Sequence, residues 1–312
     1  MSEASPEVSV IIVSFNTREM TLKAIETLYR HAGQLALQVI VWDNASHDGS
    51  PDAIAARFPQ VELHRSADNL GFAAANNRAA RFASGEWLLL LNSDTEVLPG
   101  AIQNLLDFAK ANPQAGIFGG KTLFANGSLN PTSCYKRMTV WSLFCYSVML
   151  TSLLPGSLFD PERRVSFRID QAQEVDTVTG CFFLLRAELW RDLGGFDPRY
   201  FMYAEEVDLC LRAAKRGYRL MVTPDAQIIH HGGASVTSSA VKQQQIFRGR
   251  STIVRDHFGA WRSWLGLGLL WFTALNRYLG YSLLQALGRP VNDKAEMWKA
   301  NWHGRKGWIR GY

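Results

Sequence analysis

The sequence predicts an α/β fold, with a mostly parallel central sheet covered by helices on both faces and a helical extension behind it. Three observations lead there. Short β-branched or leucine-rich runs alternate with helical segments through about the first 120 residues, the pattern of strands joined by crossover helices. The runs end on small polar residues, Asn16, Asp43, Asn44, Asn92 and Asp94, where open sheets of this class gather their ligands. Charge is also unevenly divided. From residue 240 onward there are 12 Lys/Arg against 3 Asp/Glu, while the first 239 residues hold 21 basic and 25 acidic residues.

The elements follow in order. "VSVIIVSFN" (8–16) reads as a buried strand and is followed by a helix over 18–31. "LQVIVWDNAS" (37–46) is a second strand ending on Asp43 and Asn44, then a helix over 50–57 and a short strand over 61–64. A helix through "GFAAANNRAARFA" leads to "EWLLLLNSD", a strand that stops by delivering Asn92 and Asp94 to its tip. "AIQNLLDFAKAN" is a helix closed by Pro113. "AGIFGGKT" (115–122) falls short of a phosphate-binding loop, because Ala115 takes the place of the first glycine and the others sit in or just after an apolar strand. No GxGxxG follows the first strand, which disfavours a dinucleotide-binding domain. The apolar stretch 138–159 is too short, and too broken by Pro155-Gly156, for a membrane span; it reads as a core helix or a greasy lip beside a site.

Composition narrows the class. Hydrophobic content of 47% and charged content of 20% are those of a globular protein with a full core. Cys134, Cys145, Cys181 and Cys210 form no CxxC pair and no Cys/His cluster, which argues against structural zinc and a disulfide framework and for a reducing compartment. The acidic N-terminal "MSEASPEVSVIIVSFN" lacks the positive charge of a signal peptide, so export is not expected.

Seven blocks, "SFN", "WDNASHDGS", "DNLGFAAANN", "LNSDT", "GCFFLLR", "GGFDPRYFMYAEEVDLCLR" and "IIHHGGAS", occur in the order found in family 2 glycosyltransferases. The chain most resembles the bacterial rhamnosyltransferase branch over about residues 7–236. The resemblance implies a GT-A fold with a nucleotide-sugar half at about 1–120 and an acceptor half at about 121–239, and inverting, metal-assisted sugar transfer. On this reading 1–239 is the catalytic domain and 240–312 a basic, Trp-rich helical extension.

The residues can be matched to that chemistry. Asp43 at a strand tip would accept the N3–H of uracil or thymine, as the resemblance implies; an Asx turn within "DNASHDGS" is the other use for it. Asn16 and Asn69 would add nucleotide contacts on the same rim. Gly71 opens a helix where a small residue lets backbone approach a ligand, although a capped helix start explains the same letters. The departing nucleoside diphosphate needs a hard cation, Mg²⁺ or Mn²⁺, with oxygen ligands and few protein donors. "NSD" resembles the family's DxD motif, with Asp94 as metal ligand and Asn92 in place of the first acid. In "IIHHGGAS", position in the family's pattern favours His230 over His231 as a second ligand; only one of two consecutive strand residues faces the site. "YAEEVDLCLRAAKR" resembles the family's E-D-x-D, whose second residue deprotonates the acceptor. That falls on Glu206, with Glu in place of Asp, and the choice between Glu205 and Glu206 stays open. Asp208 can orient the acceptor, or pair with Arg212 one turn on.

Residues 264–287 would extend about 36 Å as a helix, long enough to span a bilayer, but Asn276 and Arg277 sit at its middle. Leu265, Leu269, Phe272, Leu279 and Leu283 fall near one face, and six of the ten tryptophans lie between 261 and 308 among Arg and Lys. An interfacial helix on an anionic membrane fits this composition better than a span. Nucleic acid would need the cations but not the apolar area. Packing on the catalytic domain, or a homo-oligomer interface, is the other use open to it.

The function expected is transfer of one sugar, rhamnose from dTDP-rhamnose or another dTDP- or UDP-sugar, to a lipid-linked or polysaccharide acceptor of the cell envelope. The expected place is cytoplasmic, peripheral on the inner face of the cytoplasmic membrane. The rhamnose choice rests on the resemblance alone. Two alternatives are a sugar-phosphate nucleotidyltransferase, which needs a glycine- and arginine-rich loop that "SFNTREM" lacks, and an inactive membrane-bound glycan-binding protein.

Overall fold

The computed structural model describes residues 5–163, 165–166, 169–232 and 238–312. The chain runs β1 (Val8–Ser14), α1 (Arg18–His31), β2 (Leu37–Asp43), α2 (Ser50–Arg57), β3 (Glu62–Arg65), α3 (Gly71–Ala79) and β4 (Trp87–Leu91). It continues through β5 (Thr95–Val97), α4 (Ala101–Ala111), β6 (Ala115–Leu123), β7 (Cys134–Tyr135), α5 (Val140–Ser147), α6 (Leu150–Leu153), β8 (Gln173–Val175) and β9 (Thr177–Val178). Then come β10 (Phe182–Arg186), α7 (Ala187–Leu193), α8 (Glu205–Lys215), β11 (Arg219–His230), α9 (Ser239–His257), α10 (Ala260–Ala286), α11 (Asn292–His303) and α12 (Arg305–Trp308). By contact these form two compact units. One is Met1–Tyr135 with Val165–Phe201 and Glu206–Ser235; the other is Lys136–Arg164 with Met202–Glu205 and Val236–Tyr312. The stretch 136–164, assigned from sequence to the acceptor half, thus groups with the tail.

The first unit is built on a nine-stranded sheet of order β3-β2-β1-β4-β10-β6-β11-β5, with β8 paired to β11. The alternating region behaves as its sequence predicts, since β3, β2, β1 and β4 are mutually parallel. β10 then runs antiparallel between β4 and β6, and β5 and β8 run antiparallel to β11, so the whole sheet is mixed. β4 is buried at every position because both faces of the sheet are covered, which is why it reads as a continuous leucine run and not as an alternation. The glycines of "AGIFGGKT" lie in β6 and serve packing. A Cβ on Gly120 would stand 2.2 Å from the Ala226 carbonyl oxygen and 2.8 Å from the Phe182 ring.

The second unit is helical. The buried stripe of α10 is Gly266, Leu270, Thr273, Ala274 and Arg277, whereas Trp264, Leu265, Phe272, Leu279 and Leu283 are exposed. The polar pair in the middle of this helix has a local cause. The Asn276 amide donates to the Ser147 carbonyl at 2.9 Å and the Arg277 guanidinium to that of Tyr146 at 3.0 Å, capping carbonyls of the last turn of α5. The tail tryptophans divide. Trp298 and Trp308 pack edge-on against Phe247 in a small aromatic core, while Trp261 and Trp264 are exposed. Among the described residues no helix is long and apolar enough to cross a membrane.

Gly120→Ala should overpack the sheet where β6 meets β11 and cost about 1–3 kcal/mol, read as a lower urea midpoint with an unchanged slope.

Candidate active site

The site grows from the carboxyl ends of β1, β2 and β4. A buried ladder of hydroxyls ties the ends of β1 and β4 together through α1. Ser14 and Thr17 each share a hydrogen bond with Thr21 at 3.0 Å, and the Thr17 hydroxyl donates to Ser93 at 3.2 Å. The Thr95 hydroxyl donates to the Asn92 carbonyl at 2.7 Å and closes the turn that carries Asp94.

At the β2 tip both expected uses of Asp43 are visible. Its Oδ2 accepts from the Ser46 amide at 3.1 Å, an Asx turn, while its Oδ1 is buried with no hydrogen-bond partner. The loop beyond is held by its neighbours. Asn16, at φ 51°, accepts from the His47 amide at 2.8 Å through Oδ1, and its own amide donates to Ser46 at 2.9 Å. Asn44 donates to Asn69 at 2.8 Å and accepts from the Leu70 amide at 2.9 Å; Asn69 in turn accepts from the Gly71 amide at 3.0 Å. Asn16 and Asn69 therefore shape the rim through their carbonyl oxygens. Gly71 has φ +78°, and a Cβ there would meet the Phe201 carbonyl oxygen at 2.3 Å. Close approach of Phe201, whose carbonyl accepts from Phe72 at 2.7 Å, is a packing reason for this glycine.

At the β4 tip, Asp94 faces His230 with Oδ1 3.2 Å from Nε2. The cause is strand register. β5 pairs antiparallel with β11, Thr95 opposite His230, so the residue before Thr95 lies beside the β11 end. Alternation settles which histidine points inward: His231 turns to Glu96 at 2.9 Å, while its backbone amide donates to the Asp94 carbonyl at 3.0 Å. The Asn92 amide nitrogen lies 3.4 Å from His230 Nε2, and its Oδ1 is buried with no partner. Cys181, which sequence reasoning passed over, adds its thiol to the His230 ring. Burial disfavours the charged ring, but the Cys181 sulfur and the Asp94 carboxylate outweigh it and push the His230 pKa up to about 11. The signal for Cys181 was its place one residue before the strand that pairs with β4, Phe182 opposite Leu91.

The third group is at the start of α8. Glu205 and Asp208 are buried and Glu206 is half-buried. Asp208 binds Arg212 at 2.7 Å, and that guanidinium also donates to the Leu193 and Gly195 carbonyls at 2.6 and 2.8 Å. Asp208 is thus committed to the helix and to the turn after α7. Glu206 sits by Gly180, where an added Cβ would come within 3.6 Å of both its Cβ and the Phe72 ring. Gly180 adjoins Cys181, which brings Glu206 to the neighbourhood of His230.

The family described as Glycosyl transferase family 2 matches residues 9–192, more than half of the chain. The chain belongs to this family. N-acetylglucosaminyl-diphospho-decaprenol L-rhamnosyltransferase of Mycobacterium tuberculosis (strain ATCC 25618 / H37Rv) is 30% identical over 266 residues, 80% of this chain and 84% of that protein. Rhamnosyltransferase WbbL of Escherichia coli (strain K12) is 28% identical over 243 residues, 72% of this chain and 83% of that one. Among solved structures, a mannosyltransferase from Pyrobaculum calidifontis in complex with GDP-Man and Mn²⁺ aligns with a TM-score of 0.60 at 19% identity, covering 98% of this chain and 88% of that one. Fold and family are therefore those of a rhamnosyltransferase-like GT-A glycosyltransferase, and the nucleotidyltransferase alternative falls. Asp43, Asn92 and Asp94 lie inside the family match; Glu205, Glu206 and His230 lie beyond it.

The His230–Asp94 pair can be read directly in the metal-free protein. The histidine pKa is raised, so the pair stabilises the fold fully below about pH 6.5 and loses that contribution as pH climbs toward 11. NMR titration should find the ring protonated at pH 8, and Asp94→Asn should bring its pKa down. The stability advantage of wild type over Asp94→Asn should shrink from pH 7 to pH 9.

Proposed function

We propose that the chain is an inverting, divalent-metal-dependent glycosyltransferase that moves a sugar, rhamnose from dTDP-rhamnose, onto a lipid-linked glycan acceptor of the cell envelope. One observation carries the reading: two buried side-chain oxygens lack partners, Asp43 Oδ1 at the tip of β2 and Asn92 Oδ1 at the tip of β4, the second of them beside the Asp94–His230 pair. A buried oxygen left unpaired costs about 1–3 kcal/mol, which a donor from a ligand relieves. Asp43 Oδ1 suits the N3–H of a thymine or uracil base. The donor and acceptor classes are supported by the names of the rhamnosyltransferase relatives.

The residues present fit Mg²⁺ or Mn²⁺. Among the described residues no three His, Cys, Asp or Glu side chains form a cage able to hold a metal by themselves. Asp94, His230 and the Asn92 oxygen offer a sparse, mostly oxygen set, suited to an ion that takes its other ligands from a diphosphate and water. Such an ion, when bound, neutralises charge growing on the departing diphosphate. Glu206, half-buried beside Gly180, takes the proton from the acceptor hydroxyl. Asp208, through Arg212, fixes the helix that presents Glu206.

Exposed apolar residues support a peripheral membrane site. Among the described residues, 16 of the 21 exposed large hydrophobic side chains belong to the helical unit, chiefly on α5, α6 and α10. The same unit carries the basic surplus, and both features suit the inner, anionic face of a cytoplasmic membrane.

Donor screening with Mg²⁺ or Mn²⁺ should find sugar released from a dTDP- or UDP-sugar. Asp94→Ala should abolish the activity while leaving the fold intact. Full transfer in excess EDTA would remove the metal from the scheme, and inactivity toward every donor would favour an inactive glycan-binding protein.

Vesicle co-sedimentation tests the surface. Binding to anionic lipid should weaken in high salt without vanishing, because apolar burial resists screening. Leu265→Glu with Phe272→Glu should release the protein even in low salt. A double variant that still binds while changing its oligomeric state would make this face an interface between copies.

A further inference from the structure

The turn leading into α8 has two consecutive non-glycine residues in the left-handed region, Tyr203 at φ 71° and Ala204 at φ 77°. Each such residue costs about 1–3 kcal/mol and persists only where its surroundings over-determine it. Those surroundings lie in the helical unit, where Met202–Glu205 groups with the tail. Gly249 of α9 lets the helix press against the turn: a Cβ there would stand 2.5 Å from the Tyr203 carbonyl oxygen and 2.9 Å from the Ala204 Cβ. The Lys242 ammonium lies 6.0 Å from the centre of the Tyr203 ring.

The turn is also held by Tyr312, whose hydroxyl donates to the Met202 carbonyl at 3.1 Å. Tyr312 is itself well seated. Its amide donates to the Thr252 hydroxyl at 2.8 Å, and its ring lies under the Arg248 guanidinium at 4.8 Å. Arg248 Nε donates to the Gly311 carbonyl at 3.0 Å, and four residues earlier Trp308 is buried against Phe247. Ring, amide and preceding residues are thus all spent on anchoring to α9 and its core. The hydroxyl is what reaches the Met202 carbonyl.

We propose that Tyr312 is a positioning residue for sugar transfer: from its anchorage on α9 it clamps the strained Met202–Ala204 turn and so fixes where α8 begins and how its first carboxylates are presented. The inference rests on the reading of Glu206, or its neighbour Glu205, as the general base.

The test uses the full chain and Tyr312→Phe, which keeps the ring on Arg248 and removes only the hydroxyl. Hydrogen exchange of a peptide covering 201–206, thermal stability, donor KM and kcat are measured together, with Glu205→Gln and Glu206→Gln alongside. Loss of one hydrogen bond should speed exchange in the turn and lower kcat about 3- to 10-fold. Donor KM and the melting temperature should hardly change; a merely structural role would lower stability without this split. Gly249→Ala, which pushes on the same turn from α9, should reproduce the kcat loss. Unchanged exchange in Tyr312→Phe overturns the clamp. Faster exchange with wild-type kcat, where one of the two Gln variants is inactive, overturns its bearing on transfer. Wild-type transfer by both Gln variants overturns the base reading and the catalytic role with it, and the exchange result still reports separately whether Tyr312 holds the turn.

Discussion

The antiparallel pairing of Thr95 with His230 is the constraint on which the site depends. It brings the far end of β11 back beside the tip of β4, from a point 138 residues further along the chain than Asn92. The pairing is sensitive to phase. Between Thr223 and Gln227, β11 advances four residues while β6 advances one, from Gly120 to Lys121. The excess is odd, so it inverts the alternation of side chains across that ladder. One residue more in the irregularity would carry His231 to the place of His230, and one fewer would carry Ile229 there. Gly120 belongs to the same argument, because it lets the Ala226 carbonyl of the irregular segment approach within the space of a missing methyl group.

Polar residues at the strand tips divide by whether their hydrogen bonds are complete. Asn16, Asn44 and Asn69 bond to backbone and to one another and hold a loop in shape. Asp43 is split, one oxygen holding the Asx turn and the other open; Asn92 keeps a buried open oxygen beside the histidine. A fold selected for stability alone would pair these atoms or replace them. Their persistence at the tips of β2 and β4, the two strands that flank β1, is what a surface shaped for a polar ligand would show.

The sheet that carries these tips was legible because its first half obeys local rules. Hydrophobic period, turn residues and helix length each point to parallel β/α units, and β1 to β4 follow. The antiparallel insertion of β10 was not legible, since strand direction is decided by distant pairing and a buried strand looks the same either way. The Asp94 and His230 positions were readable from motif order, but the choice of histidine needed the register. Cys181 escaped because its backbone place is an ordinary strand start and its neighbour is distant in sequence. The packing on Gly71 was hidden for a related reason. Its left-handed φ was a fair inference from the letters, whereas what presses on it, Phe201, is 130 residues away.

The long tail helix shows how hydropathy and burial can part. Its leucines and aromatics at 265, 272, 279 and 283 stand in solvent, and its one mid-helix arginine is buried, hydrogen-bonded to α5 and lying over the Tyr146 ring. A scale that charges Arg277 against membrane association counts a residue committed to the protein interior. Removing it from the tally leaves the exposed face almost wholly apolar, with cations supplied by neighbouring helices. A helix that turns its polar pair onto α5 and displays its leucines is inverted relative to an ordinary surface helix, and such an apolar face calls for something other than water to cover it. The proposed membrane contact would do so, and it would act on the unit that also contains the Met202–Glu205 turn. Lipid contact and presentation of the base would then act through the same helical unit, in which Tyr312 is anchored on α9.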